Sequence, residues 1–153
     1  MKVYELAREQ LVPQPLERVF AFFAKPGNLE SLTPKSLGFE ILTPPPLEMR
    51  AGAIIDYTLN VIGLPLHWRT LIETYDPPHR FVDIQLEGPY KFWHHTHTFV
   101  AQGQSTLIQD RVRYALPFGW FGRLANLLFI RRQLATIFGF RARFIGEKFG
   151  RVE

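Results

Sequence analysis

The sequence predicts an α+β fold: a curved antiparallel sheet of about seven strands wrapped on a long C-terminal helix, with two short helices after the first strand. Three observations carry that reading. From Phe39 to Ala115 apolar residues alternate with polar ones at a period of two, in runs punctuated by Gly and Pro. From Trp120 to Phe149 there is no proline, and apolar residues recur at helical spacing instead. Between the first strand-like run and the alternating region lie two short segments bounded by proline.

The elements follow in order. Val3 to Leu11 reads as a strand closed by Pro13-Gln-Pro15. Proline favours the first turn of a helix, and Leu16, Val19, Phe20 and Phe23 then lie on one helical face. Lys25-Pro-Gly27 stops that helix, and Asn28 is placed to cap a second short one, Asn28 to Leu32. Phe39 to Leu42 is a short strand ended by three prolines. In Ala53 to Val61, the residues Ala53, Ile55, Tyr57, Leu59 and Val61 share a face opposite Ile54, Asp56, Thr58 and Asn60. Leu66 to Tyr75 carries Trp68 and Ile72 on one face, Asp76-Pro-Pro78 turns the chain, and Arg80 to Leu86 follows. Phe92 to Ala101 and Ser105 to Ala115 complete an antiparallel meander. The final helix, Trp120 to Phe149, would span about 40 Å at 1.5 Å per residue, enough to cross the sheet. Its expected buried stripe is Leu124, Leu127, Leu128, Leu134, Ala135, Phe138, Ala142, Ile145 and Phe149.

Composition narrows the function. The 153 residues suit one domain, taken as 1–153, with no internal repeat or linker. Charged residues make up 21% and hydrophobic ones 46%, which argues for a packed core rather than disorder. With no cysteine, the chain can have no disulfide, thiol nucleophile or Cys-ligated metal. The start shows no signal-peptide pattern and no apolar run reaches transmembrane length, so the expectation is a cytoplasmic protein. The net charge of +4 is concentrated late: Arg123, Arg131, Arg132, Arg141, Arg143, Lys148 and Arg151 face a single acid, Glu147. A solvated face is the ordinary reading of such a helix, and nucleic acid, anionic membrane or acidic partners are the others. No nucleic-acid module with stacking aromatics on a sheet face accompanies it, so no nucleic-acid partner is expected. Gly-x-Ser-x-Gly elbows, phosphate loops and dinucleotide fingerprints are likewise absent.

The site comes from strand register. Gln102-Gly103-Gln104-Ser105 places Gly first of two central residues, the signature of a type II′ turn. A two-residue loop there sets Phe99 against Ile108, His97 against Asp110, His95 against Val112 and Trp93 against Tyr114. The other face pairs His94 with Arg113, Thr96 with Arg111 and Thr98 with Gln109. That face is charged, so the first one points inward. An ionised carboxylate buried alone costs several kcal/mol, so Asp110 needs a partner. Facing His97 is expected to supply it, leaving His95 freer for a ligand. The ordinary alternative is a satisfied polar core cluster. A metal held by His95, His97 and Asp110 is a weaker alternative, since any His-x-His strand shows that spacing, and no metal or other cofactor is assigned.

Tyr57, Trp68 and Phe138 are further wall candidates; Tyr57 and Trp68 lie on the apolar faces of their strands, where such residues are more often plain core. Arg131 falls within the arc of Leu124, Leu127, Leu128 and Phe138, and so can meet an anionic ligand head at a cavity mouth or simply snorkel outward. An irregular helix entry would re-aim it. Phe129, Phe140 and Phe144 project from the main stripe. Exposed apolar residues beside arginine fit a transient membrane contact or a dimer contact, burial being the alternative, and monomer and homodimer both stay open.

Three segments resemble the bacterial ligand-binding, polyketide cyclase-like branch of the START / Bet v 1-like (SRPBCC) superfamily. They are Phe81-Val-Asp-Ile-Gln85, Gly88-Pro-Tyr-Lys-Phe-Trp-His-His-Thr-His-Thr-Phe99 and Asp110-Arg-Val-Arg-Tyr-Ala-Leu-Pro-Phe-Gly119. The helix segment from Arg131 to Arg141 looks similar too, so the likeness spans nearly the whole chain. It implies a helix-grip fold with a deep cavity between sheet and helix, but no particular ligand. Such relatives include lipid carriers, hormone receptors, polyketide cyclases and quinone-binding proteins. By pattern Asp83 and Gln85 point outward, because Val82, Ile84 and Leu86 form the cleaner apolar face, whereas the resemblance implies inward. Their orientation stays open, with Gln85 kept as a candidate ligand contact.

The leading expectation is a protein that binds or carries a small hydrophobic molecule: a lipid, quinone, isoprenoid or polyketide. The alternative is a cyclase or dehydratase using His95, or His97 oriented by Asp110, as general acid or base.

Overall fold

In the computed structural model, which describes residues 1–61 and 63–152, the alternating region forms one antiparallel sheet. Its strands are β1 (Tyr4–Val12), β2 (Glu40–Ile41), β3 (Ile54–Val61), β4 (Leu64–Asp76), β5 (Arg80–Glu87), β6 (Phe92–Gln102) and β7 (Ser105–Ala115), in the spatial order β1-β7-β6-β5-β4-β3-β2. β2 to β7 follow the chain, while β1 crosses to pair with β7 from Tyr4↔Tyr114 to Val12↔Thr106. Register shifts between Arg69 and Thr70, and between Ile72 and Thr74, let β4 bend, since each extra residue increases local twist. The sheet therefore curls around the helices.

The β6–β7 hairpin has the expected register throughout, from Gln102↔Ser105 to Trp93↔Tyr114. Gly103 takes φ 61° while Gln104, the second central residue, does not have positive φ, as a type II′ turn requires. Burial along β6 alternates strictly: Trp93, His95, His97 and Phe99 are buried.

α1 (Leu16–Phe23) buries Leu16, Val19, Phe20 and Phe23, the predicted face. The second helical segment differs from expectation. It is a 3₁₀ turn, Pro26–Leu29, followed by another at Lys35–Leu37. Asn28 does not cap it: its Nδ2 donates back to the carbonyl of Phe22 at 2.8 Å, closing the end of α1.

The C-terminal helix has three parts: α2 (Gly119–Ala125), a π-helical turn (Asn126–Ile130) and α3 (Arg131–Phe149). Here the predicted stripe fails at its start. The inward positions are Gly122, Asn126, Ile130, Leu134 and Phe138, at strict intervals of four, then Arg141, Ile145 and Phe149. A wide π turn uses more residues per revolution, so a spacing of four stays in phase where an α-helix would drift. Leu124, Leu127 and Leu128, expected inside, consequently face outward. Arg131 is exposed with them.

Two apolar clusters result. One joins α1, the end of α3 and the sheet through Phe20, Phe23, Phe81, Phe99, Ile145 and Phe149. The other holds Tyr57, Trp68, Trp93, Tyr114, Leu134 and Phe138. Each fully buried aromatic contributes about 2–3 kcal/mol relative to exposure.

Candidate functional site

β5, β6, β7 and α3 converge on a polar cluster set between the two apolar ones. β6 lies between its neighbours, so His95 faces Asp83 on one side and Val112 on the other, while His97 faces Phe81 and Asp110. The hydrogen bonds do not follow these direct pairings. His95 Nε2 lies 2.8 Å from Asp110 Oδ1, and His97 Nε2 lies 2.6 Å from Asp83 Oδ2. His97 approaches Asp110 only through Nδ1, at 3.5 Å. The expected pairing of Asp110 with His97 is thus replaced by two diagonal pairs. Strand twist brings diagonal neighbours within reach of a long planar side chain. Stacking holds the rings there: Phe81 lies on His97 with centroids 4.0 Å apart, and His97 on His95 at 3.6 Å.

Arg141 completes the cluster from α3. Its NH2 group donates to Asp110 Oδ1 at 3.2 Å and to His97 Nδ1 at 3.3 Å, and its guanidinium lies over the rings of Phe23 and Phe138. An acceptor at Nδ1 puts the His97 proton on Nε2, where it is donated to Asp83. Both nitrogens of His97 are engaged. His95 uses Nε2 alone; Nδ1 makes no hydrogen bond among the described residues, and its nearest carboxylate oxygen is Asp83 Oδ2 at 3.8 Å.

Burial and charge set the protonation states. Burial disfavours the charged form of His97, and with the neighbouring His95 it pushes the pKa down to about 4 against the pull of Asp83. Burial would raise the pKa of Asp110, but the charge of Arg141 and the hydrogen bond from His95 outweigh it and hold the carboxyl well below its usual range. Asp83 is lowered as well, burial again being overcome by the hydrogen bond from His97 and by the charges of His95, His97 and Arg141. With both carboxylates ionised and His97 neutral, Arg141 balances one of two negative charges.

This cluster forms part of the wall of a cavity of about 250 Å³ between sheet and helix. Of the residues singled out in the sequence, Tyr57, Trp68, Trp93, His95, His97 and Phe138 line it. The others do not. Asp110 sits behind the imidazoles. Tyr114 donates its hydroxyl to Asn126 Oδ1 at 2.7 Å, tying β7 to the π-helical turn. Gln85 is bound on both sides by the backbone of Tyr90, donating to its carbonyl at 2.6 Å and accepting from its N–H at 3.0 Å, so its amide braces the β5–β6 turn. Arg131 lies outside, re-aimed by the π-helical turn. Two buried donors on lining residues, Trp68 Nε1 and Arg141 Nε, have no acceptor among the described residues.

Sequence reasoning missed Arg141 and left Asp83 undecided. A signal existed for Arg141: Leu134, Phe138, Arg141, Ile145 and Phe149 recur at intervals of four, three, four and four. Ala142 was the expected member of that stripe, an apolar choice over the correct arginine.

The atoms that converge most closely for a metal belong to Asp83, His95 and His97, all within 4.8 Å of one another, a different carboxylate from the Asp110 of the sequence-based set. The two imidazoles are stacked at an interplanar angle of 25°, so their lone pairs run side by side rather than meeting. An ion held by these atoms would take the place of the proton that His97 Nε2 donates to Asp83, while His95 would offer Nδ1 without leaving Asp110.

No protein-family model matches the chain, and no curated protein does. Solved structures do. The Thermus thermophilus protein TTHA0849 is 18% identical, with 96% of this chain and 94% of that one aligned at a TM-score of 0.68. Norcoclaurine synthase from Thalictrum flavum, in complex with dopamine and hydroxybenzaldehyde, is 18% identical over 95% of this chain and 88% of that one, at 0.67. Ginseng major latex-like protein 151 from Panax ginseng is 12% identical over 96% and 97%, at 0.69. The chain has the Bet v 1-like helix-grip fold.

Proposed function

We propose that this chain binds a small hydrophobic molecule in the cavity between sheet and α3, with a polar group of the ligand meeting His95. The observation that carries the proposal is the composition of the cavity wall: Tyr57, Trp68, Trp93 and Phe138 around one buried ionisable cluster. Apolar walls with a few convergent polar groups are what ligand sites use. Norcoclaurine synthase, solved with two small aromatic molecules, supports the reading by likeness of fold. A volume of about 250 Å³ favours a compact quinone, isoprenoid or polyketide over a two-chain lipid. The unpartnered donors of Trp68 and Arg141 offer hydrogen bonds that a ligand oxygen would accept after a small shift of either side chain.

Native mass spectrometry of protein purified without detergent tests this directly. A co-purified apolar molecule, displaced by Nile red, is the expected result. Failure of Nile red to bind and the absence of any adduct together would refute the reading.

A second reading, general acid–base catalysis, is favoured by the imidazole nitrogen that His95 leaves without a hydrogen bond at the cavity wall. Asp110 fixes the ring of His95 with the proton on Nε2, leaving the basic Nδ1 at the cavity wall. A histidine oriented in this way by a carboxylate is placed to accept a proton from a bound substrate. Under this reading His95→Gln abolishes turnover of a bound substrate while affinity falls only modestly. A carrier shows the affinity change alone.

A further inference from the structure

The π-helical turn leaves a large apolar surface outside the molecule. Trp120, Phe121, Leu124, Leu127, Leu128 and Phe129 are all exposed, Leu127 at 67% and Trp120 at 64%. Phe118, just before α2, is 82% exposed although it holds φ 71°, a conformation that side chains with a Cβ avoid. The indole of Trp120 stacks on Phe121 at 4.0 Å in the open. Nothing in the cavity uses these residues.

Their surroundings are cationic. Arg123, Arg131 and Arg132 flank the surface, and no acidic residue occurs between Asp110 and Glu147. Beside the start of α2 a second cleft, about 190 Å³, is lined by Lys2, Lys91 and Arg123, again without an acid. The sequence places Arg131 on the same arc as Leu124, Leu127 and Leu128, and the structure turns that whole arc to the outside.

We propose that the exposed face of α2 and the π-helical turn docks onto an anionic lipid bilayer. The aromatic and aliphatic side chains enter the interfacial layer, and the arginines and lysines meet lipid phosphates. Charge selects this occupant. A second copy of the chain would bring Arg123, Arg131 and Arg132 against the same cations, with no carboxylate anywhere between Asp110 and Glu147 to offset them. The docked face adjoins the cavity, because Leu116 and Ile130, at either end of it, are both lining residues. Docking therefore sets the cavity beside the membrane, whatever molecule it holds.

The molecule carries its own probe. Of its three tryptophans, Trp68 and Trp93 are buried and Trp120 alone is exposed. Vesicles of phosphatidylcholine mixed with phosphatidylglycerol are expected to co-sediment the protein and shift its tryptophan emission to the blue, while phosphatidylcholine alone does neither. Trp120→Phe should keep sedimentation and lose the shift. Phe121→Ser with Leu127→Ser should lose both, and each of Arg131→Gln and Arg132→Gln should weaken partitioning about fivefold. Unchanged thermal melts of these surface variants show that the fold is intact. The proposal is overturned if neither vesicle sediments the protein, or if the serine and glutamine variants sediment as the parent does. It is equally overturned if the protein forms a dimer in buffer that buries Trp120 without lipid.

Discussion

His95 hydrogen-bonds Asp110 at 2.8 Å although the ladder sets His97, not His95, directly opposite that carboxylate. The displacement by one pair has a consequence for every charged group nearby. Asp110 becomes a hub that holds His95 at Nε2 and accepts from Arg141, while His97 is handed to Asp83.

Arg141 is expected to be the main electrostatic support of the site. Arg141→Met leaves Asp110 buried beside another carboxylate, and breaking a buried pair in this way costs about 3–5 kcal/mol. Urea denaturation at pH 7 measures it. Arg141→Met combined with Asp110→Asn removes the uncompensated charge and should regain most of the loss. Equal losses in the single and double variants would show that the pair does not support the fold.

Stability should fall with acid in two stages. Burial holds the His97 pKa down to about 4 in the folded chain, against the ordinary histidine value of 6.5, so the unfolded chain binds the extra proton between those values. Stability therefore rises with pH across about 4 to 6.5 and is lost as pH drops through that window. A difference of this size corresponds to at most about 3 kcal/mol. The carboxylates of Asp83 and Asp110, both lowered, add a second loss below their ordinary range near 3.8. Thermal melts against pH should show both stages, and His97→Asn should flatten the first and shrink the second, since Asp83 then loses the hydrogen bond that holds it low.

Two glycines of the C-terminal helix should respond oppositely to alanine. A Cβ at Gly122 would stand 2.2 Å from the Pro117 carbonyl oxygen, so Gly122→Ala must push α2 away from the Leu116-Pro117 connection, at about 1–3 kcal/mol. Gly139 has nothing within 4 Å of its Cβ position, and Gly139→Ala should stabilise by up to about 1 kcal/mol. Melting temperatures of the two variants decide the signs.

Filling the cavity should separate binding from folding. Ile137 lines it from α3 and is only partly buried. Ile137→Trp is expected to leave the melting temperature near that of the parent and weaken Nile red binding about tenfold, a change of about 1.4 kcal/mol. Undiminished binding would place the dye elsewhere.

Much of the architecture was legible because it is local. A period of two, a proline-free helical run and one Gly-Gln hairpin were enough to place the strands within a residue or two and to set β6 against β7 in register. The same alternation brought His95, His97 and Asp110 to one inner face with Trp93 and Tyr114. Legibility ended where a side chain's partner lay on another element. Gln85 and Asp83 share a strand face, yet one braces Tyr90 and the other receives His97. That difference depends on the neighbouring turn and strand, which the alternation of β5 does not encode.

By itself, then, the order of residues determined the sheet, its hairpin register and the inward face of the histidines, since each follows from backbone geometry over a few residues. Tertiary structure alone decided which carboxylate each imidazole takes, that Arg141 rather than Arg131 enters the core, and that Leu124, Leu127 and Leu128 meet the outside. The reason is angular. Strand twist and one π-helical turn rotate side chains by tens of degrees, and such rotations are settled by packing against distant elements.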